Sequence, residues 1–221
     1  GDHGLLWQRP WKAELREKQL LMWQAVPSLG AEFHRMCSLE DERTLLLHYC
    51  IKNQWPESLE YLYSAHPLLI ARRDARFELP VEVDRLWVGF ATNVEGVAPG
   101  DWLDWPLRDR PELCLPLNPR RRNCLKAFAP RLAQGWAAMS FPGQKERLEM
   151  EFDVARLPHL GVLIQQGLDR VEDGPFCREV LLALEPTTGM GDDLPTCRAN
   201  TMAAKIPGGG LVEFWIRLRI T

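Results

Sequence analysis

The sequence predicts an almost all-β protein, and three observations support this prediction. Short segments of alternating apolar and polar residues recur along the chain, with turn residues between them. The 17 prolines and 16 glycines are spread throughout the chain and are not gathered into a linker. Strands and helices do not alternate regularly, which favours an antiparallel sandwich over an α/β fold. Because 221 residues can bury a large core, we expect residues 1–221 to form a single domain.

The clearest strand signals lie in the second half of the chain. From Leu148 to Val154 every second residue is apolar, and charged residues stand between them. After the turn at residues 207–210, the same alternation runs from Val212 to Ile220. A period of two over this length is typical of an antiparallel strand with one face in water. Further strands are predicted at residues 32–39, 44–52, 76–82, 162–166 and 179–184.

Two segments are harder to assign from their composition. Segment 11–23 is rich in helix-favouring residues, but two strands that turn near Glu17 and Lys18 suit an all-β neighbourhood, and we favour the strands. Segment 118–134 contains two prolines and three consecutive arginines. We expect this segment to be a long loop with at most one helical turn.

Composition narrows the classes of function. The formal net charge of −3 gives no electrostatic reason to expect nucleic acid or an anionic membrane as a partner. None of the six cysteines has the spacing of a zinc site, and they are too sparse for a disulfide scaffold, so reduced thiols in a cytoplasmic protein are expected. The nine tryptophans are numerous, and flat aromatic rings are suitable walls for a sugar pocket.

Two histidine motifs are candidates for chemistry. His3 precedes Gly4, and glycine lets the backbone approach a ligand closely, although a solvated terminal histidine is an equally good interpretation. His66 precedes Pro67, which favours extended geometry at the histidine. The imidazole suits proton transfer near neutral pH, but a His-Pro pair is more often structural.

Glu185 is the third candidate. It follows the apolar run 181–184, and we expect the next residue, Pro186, to end the strand. Partial burial there should raise the pKa of Glu185 and make it a better base, whereas a solvated strand-end glutamate is the alternative. The acidic loop that follows lacks the spacing of a calcium site, so no metal is assigned.

Taken in order, these motifs resemble the aldose 1-epimerase (galactose mutarotase-like) family. The ordered set is DHG, then W-x-RPW, S-x-HP, HLGVLIQQG, LALEPTTG, and N-x-x-A-x-x-x-PGG before the last strand. The resemblance spans nearly the whole chain from Asp2 onward and is faint between residues 84 and 146.

The resemblance implies a large antiparallel β-supersandwich with an open sugar cleft on one concave sheet. It also implies that Glu185 is the general base and His66 the general acid, on opposite sides of a small pocket. The implied activity is interconversion of the α and β anomers of a hexose by ring opening and closure, which needs neither a metal nor a redox cofactor. By position, the further residues expected to contact the sugar are His3, Arg9, Trp7, Trp11 and Trp55.

Departures from the family pattern leave alternatives open. Family members carry several strands before the first histidine motif, so we expect those strands to be absent here, and an exposed edge could be covered in a homodimer. Members that act on hexose 6-phosphates carry an arginine in an HGF-x-R motif, which this chain lacks, so a neutral aldose is favoured. A non-catalytic carbohydrate-binding protein and a purely structural sandwich are the other candidates. Arginines that could hold a phosphate instead are Arg9, Arg120, Arg121 and Arg122.

Overall fold

The computed structural model describes residues 4–7, 9–114, 116–167 and 179–221. Strands dominate these residues, and the α-helix α1 (Leu194–Ala199) has only six. Short 3-10 helices lie at Pro27–Leu29 and Pro119–Arg121. The strands are β1 (Lys12–Arg16), β2 (Gln19–Val26), β3 (Ala31–Asp41), β4 (Thr44–Asn53), β5 (Leu59–Tyr61), β6 (Leu69–Ile70), β7 (Arg76–Glu78), β8 (Arg85–Thr92), β9 (Trp102–Asp104), β10 (Asn123–Ala129), β11 (Trp136–Phe141), β12 (Glu146–Phe152), β13 (His159–Gln166), β14 (Val180–Thr187), β15 (Ala204–Ile206) and β16 (Leu211–Ile220).

Two large sheets contain most of these strands. The eight-stranded sheet has the order β1-β2-β3-β4-β16-β12-β11-β7, and the six-stranded sheet has the order β6-β14-β13-β10-β8-β9. Strands β15 and β5 form a separate pair. The pairings within all three sheets are antiparallel, which confirms the predicted all-β fold class. No helix in the described ranges is long and apolar enough to cross a membrane.

One continuous core lies between the two sheets. It contains inward-facing residues of the eight-stranded sheet, such as Phe214, and of the six-stranded sheet, such as Leu182. An aromatic cluster forms part of it: the ring of Phe214 lies 5.0 Å from that of Tyr49 and 4.8 Å from that of Tyr63, and Phe33 stacks on Tyr63 at 6.0 Å. Burial of each large apolar side chain contributes about 1.5–3 kcal/mol. The cluster therefore ties the loop that carries Tyr63 to the eight-stranded sheet.

Several of the predicted strands are confirmed. In β16, Val212, Phe214 and Ile216 are buried on one face, as the alternation predicts. Segment 11–23 contains β1 and β2, which meet in a tight turn at Glu17, whose φ is 52°. The strand predicted at residues 76–82 is shorter, because β7 ends at Glu78.

The prediction for segment 118–134 was wrong. Its arginine run includes the expected single helical turn, but residues 123–129 form β10, which pairs with both β13 and β8 inside the six-stranded sheet. Six of the seven residues of β10 are buried, and Lys126 is partly buried. A strand covered on both faces carries no apolar–polar alternation, and the sequence pattern therefore did not indicate it.

Pro186 does not end β14, contrary to the sequence-based expectation. The strand continues through Pro186 to Thr187, paired with β13 throughout. On its other side β6 pairs only with Leu181 and Leu182, so the later part of β14 is close to an edge. Proline is tolerated at such edge positions because a missing N–H there breaks no central ladder.

Candidate active site

Glu185 lies on the six-stranded sheet with a side chain that is 0% exposed. It comes from β14, and its partner across the sheet is Gly161 of β13. A Cβ atom at Gly161 would lie 3.2 Å from the Cβ of Glu185 and 3.5 Å from its Oε2. Gly161 therefore relieves crowding at the Cβ of Glu185, whereas its contact with the carboxylate oxygen would be an ordinary one.

His66 is held beside Glu185 by its loop. The backbone N–H of Ala65 donates to the carbonyl of Pro186 at 3.0 Å, and Ser64 forms a bridge to Thr187. These bonds fasten the loop along the end of β14. His66 Nδ1 consequently lies 2.6 Å from Glu185 Oε1, with 24% of the His66 side chain exposed.

The structure thus brings together the two residues that the sequence singled out as acid and base. Their arrangement differs from the expectation, because we expected them on opposite sides of a pocket. In the structure they are in direct contact at 2.6 Å, so a sugar must separate them in order to lie between them.

Two further charged residues complete the cluster, and sequence reasoning missed both. Lys126 Nζ, from β10, lies 3.0 Å from Glu185 Oε2 and 2.7 Å from Asp192 Oδ1. Ser64 Oγ also donates to Glu185 Oε2 at 3.3 Å. A lysine inside the apolar run NCLKAFA was an available signal, because a charge on a buried strand requires a partner. Because segment 118–134 was predicted to be a loop, this lysine was not recognised as a buried charge.

Electrostatics in this cluster favour the charged forms of both Glu185 and Lys126. Burial raises the pKa of Glu185, but the hydrogen bond with His66 and the charge of Lys126 outweigh it and hold this pKa below its ordinary value. The expected raised pKa of Glu185 was therefore wrong, because the sequence did not show the charge of Lys126 and the hydrogen bond with His66 beside it. Burial likewise lowers the pKa of Lys126, but the charges of Glu185 and Asp192 outweigh burial and raise it.

Aromatic side chains lie on the same face of the sheet. Phe128 of β10 is the cross-strand partner of Gly161, and Trp87 of β8 is the partner of Phe128. The rings of Trp87 and Phe128 are 6.0 Å apart at an angle of 40°. A Cβ atom at Gly89 would lie 2.6 Å from the Phe128 ring and 3.2 Å from Asp192 Oδ2. Two rings therefore adjoin the charged cluster, and that of Phe128 is fully buried beneath it.

The other sugar contacts expected from the sequence are not placed at this cluster by any described contact. His3 lies outside the described residues. The carbonyl of Arg9 accepts a hydrogen bond from Gln24 at 2.9 Å, and Trp11 packs edge-on against Phe33 at 5.5 Å. Trp55 packs over Gly30 in the turn between β2 and β3. Trp7 lies in a turn and is 69% exposed.

The arginine run has a structural part. Arg121 Nη1 donates to the backbone carbonyls of Glu112 and Cys114 at 2.8 and 2.9 Å. Asn118 caps the 3-10 helix by accepting from the N–H of Arg120, and the carbonyl of Arg122 accepts from Asn93 at 2.8 Å. Arg121 is therefore committed to holding its own loop, which weakens it as a phosphate ligand.

Two open depressions occur elsewhere, on the eight-stranded sheet. One of about 330 Å³ is lined partly by His34, His48 and Cys50. The other, of about 520 Å³, is lined partly by Trp136 and Trp215. Neither contains the charged cluster. In the described part of the chain no group of three or more His, Cys, Asp or Glu side chains is arranged to hold a metal ion.

Comparison with known proteins gives matches in structure but not in sequence. No family model matches the chain, and no curated protein matches it. A candidate aldose 1-epimerase from Escherichia coli K12 superposes with a TM-score of 0.72 at 17% identity, over 99% of this chain and 71% of that chain. A galactose mutarotase related enzyme from Lactobacillus acidophilus superposes with a TM-score of 0.69 at 12% identity, over 100% of this chain and 74% of that chain.

Other solved structures are similar but longer. A galactose mutarotase-like protein from Lactobacillus casei gives a TM-score of 0.62 at 13% identity, over 96% of this chain and 73% of that chain. The chain spans 66% of the Slr1438 protein from Synechocystis and 53% of a candidate aldose 1-epimerase from Klebsiella pneumoniae. At these identities the likeness establishes the fold. The fold that the resemblance implied is thereby confirmed, and this chain has the galactose mutarotase-like fold.

Proposed function

We propose that this chain is an aldose 1-epimerase-like enzyme that interconverts the α and β anomers of a free hexose. The observation that carries the proposal is the contact between Glu185 Oε1 and His66 Nδ1 at 2.6 Å. This contact unites a buried carboxylate with a partly exposed imidazole on the sheet of a galactose mutarotase-like fold. An anomer exchange needs one base and one acid within reach of the same small molecule.

The proposed reaction begins when the sugar enters between the two side chains. The carboxylate of Glu185 takes the proton of the anomeric hydroxyl, and His66 gives a proton to the ring oxygen. The bond between C1 and the ring oxygen breaks, and C1 becomes an aldehyde. After rotation about C1–C2, the ring closes with the two proton transfers reversed, so no proton is gained or lost overall. Assistance of this kind typically contributes about 10²–10⁴-fold to a rate.

The electrostatics of the site support these assignments. Because the pKa of Glu185 is lowered by His66 and Lys126 despite burial, the carboxylate is ready to accept a proton at neutral pH. Glycoside hydrolysis would need two carboxylates flanking the anomeric carbon. The second carboxylate here, Asp192, is linked to Glu185 through the single nitrogen of Lys126, and such a linked pair does not favour two carboxylates on either side of one sugar.

The proposal is tested by NMR exchange between anomer signals at equilibrium, with glucose, galactose and glucose 6-phosphate. We expect the wild type to accelerate exchange and Glu185→Gln and His66→Gln to lose at least about 100-fold. Glu213→Gln, an exposed position on β16, is the matched control and should behave as wild type. Full activity in Glu185→Gln would refute the assignment of the base.

A non-catalytic carbohydrate-binding protein is the second candidate. Because His66 and Glu185 are in direct contact, they must separate before a sugar can lie between them, and a protein in which they stay together would bind a sugar without exchanging its anomers. Binding of an aldose without any acceleration of exchange would support this candidate. Faster exchange of glucose 6-phosphate than of glucose would instead support a hexose-6-phosphate 1-epimerase.

A further inference from the structure

We propose that Lys126, fastened to Asp192, is a positioning residue that holds Oε2 of Glu185 and leaves Oε1 free to act as the base. The resemblance implied no role for Lys126. The proposal deepens the proposed function, and its catalytic part rests on it. The other part of the proposal, that Lys126 keeps Glu185 ionised, does not depend on catalysis. It can be tested even if the protein turns over no sugar.

The two oxygens of Glu185 have different partners. Oε1 is bonded only to His66 Nδ1 among the contacts seen in the described residues, at 2.6 Å. Oε2 is bonded to Lys126 Nζ at 3.0 Å and to Ser64 Oγ at 3.3 Å. A sugar that separates His66 from Glu185 therefore uncovers Oε1, while Oε2 keeps its two donors. This asymmetry identifies Oε1 as the oxygen that meets the anomeric hydroxyl.

Lys126 can do this only if its own position is fixed. A lysine side chain is long and flexible, and its ammonium group has three donors to satisfy. Asp192 Oδ1 binds Nζ at 2.7 Å, and Nζ lies 5.7 Å from the centre of the Phe128 ring. With 18% of the Lys126 side chain exposed, these contacts hold the ammonium between two carboxylates. Lys126 Nζ thus links Glu185 to Asp192, so that β10 and the loop after β14 together hold the Glu185 carboxylate.

The charge balance explains why the lysine matters. The titratable groups that face Glu185 are His66 from the loop after β5, Lys126 and Cys124 from β10, and Asp192 from the loop after β14, linked through Lys126. Without Lys126, the buried Glu185 would lose a cationic partner and would face the exposed carboxylate of Asp192, and burial together with a like charge favours protonation of Glu185. A protonated Glu185 cannot accept the anomeric proton. Lys126 therefore keeps the base available at mildly acidic pH.

The test compares Lys126→Met, which removes the charge, with Lys126→Arg, which keeps it. The exposed Lys18→Met in the turn after β1 is the control. The first readout is the titration of the Glu185 carboxyl carbon by ¹³C NMR, assigned with Glu185→Gln. The second readout is the pH dependence of kcat/KM for anomer exchange.

We expect Lys126→Met to move the titration of Glu185 to higher pH and to lower kcat/KM by about tenfold or more on the acidic side. Lys126→Arg should keep the titration of Glu185 and the acidic-side kcat/KM close to those of the wild type. Lys18→Met should change neither quantity. An unchanged titration and an unchanged pH profile in folded Lys126→Met would overturn the proposal. If Lys126→Met does not fold, Lys126→Gln keeps a donor for Oε2 without the charge and decides the same question.

The two proposals fail in different ways. If no sugar is turned over but the titration of Glu185 still moves in Lys126→Met, the enzymatic function is wrong and the control of charge is right. If sugar is turned over and the variants leave both readouts unchanged, the function holds and the role of Lys126 is wrong.

Discussion

At the scale of single residues, the site depends on a buried carboxylate that is stabilised by its neighbours. Glu185 is 0% exposed, which alone would favour the neutral acid. His66 and Lys126 reverse that preference, one at each oxygen. The contacts that keep Glu185 ionised therefore also stabilise the folded chain, and the stability of the fold should depend on pH.

The first prediction concerns that pH dependence. The pKa of Glu185 in the folded chain is below its ordinary value of 4.5. Its contribution to stability is therefore complete above pH 4.5 and is lost as the pH falls through the folded-state pKa. We expect the stability difference between wild type and Glu185→Gln, measured by urea unfolding, to be largest near neutral pH and to shrink below pH 4.5. A difference that stayed constant or grew on acidification would contradict this.

At the scale of elements, the loop between β5 and β6 positions His66 through Tyr63. The ring of Tyr63 packs against Phe33, Tyr49 and Phe214. The backbone on either side of it is bonded to the end of β14. The core thus fixes one end of this loop, and the six-stranded sheet fixes the other.

The second prediction follows from this double attachment. Tyr63→Ala should lower the free energy of unfolding by about 3–5 kcal/mol, because it leaves a cavity among three rings. It should also reduce anomer exchange, because His66 loses its support. Tyr63→Phe keeps the ring and should retain most of both properties. Urea unfolding and NMR exchange measure the two effects, and an Ala variant as active as wild type would exclude the positioning role of this loop.

The elements also show how far the sequence could predict the structure. Strand β16, with one wet face, and the turn near Glu17 were readable because alternation and turn residues are local signals. Strand β10 was not readable, because burial on both faces removes the alternation. The position of Lys126 in the sheet could therefore not be predicted either. Glu185 and His66 were found from motifs, but their direct contact depends on long-range pairing that spacing cannot reveal.

At the scale of the whole molecule, the two sheets are joined by one core. Phe214 of β16 is 1% exposed and lies within this core, on the opposite side of its strand from Trp215. The six-stranded sheet, which carries Glu185, packs against the same core. The rigidity of the site therefore depends on packing across the whole sandwich.

The third prediction tests this packing with neighbouring residues. Phe214→Ala should lower the free energy of unfolding by about 3–5 kcal/mol, as expected for a fully buried aromatic ring. Trp215 lies on the outer face beside Arg217 and is only half-buried. Trp215→Ala should therefore lower the free energy of unfolding clearly less than Phe214→Ala does. Equal losses in urea unfolding would show that the core does not lie where the structure has it.

Anomer exchange by this protein can be followed by magnetisation transfer between the anomers of one aldose, galactose or glucose. Saturation of the α-anomer signal should reduce the β-anomer signal faster with wild type than in buffer, and Glu185→Gln should return the transfer to the buffer rate. Transfer at the buffer rate with folded wild type, for every aldose tried, would contradict the proposed anomer exchange and leave a protein that keeps the fold without the reaction.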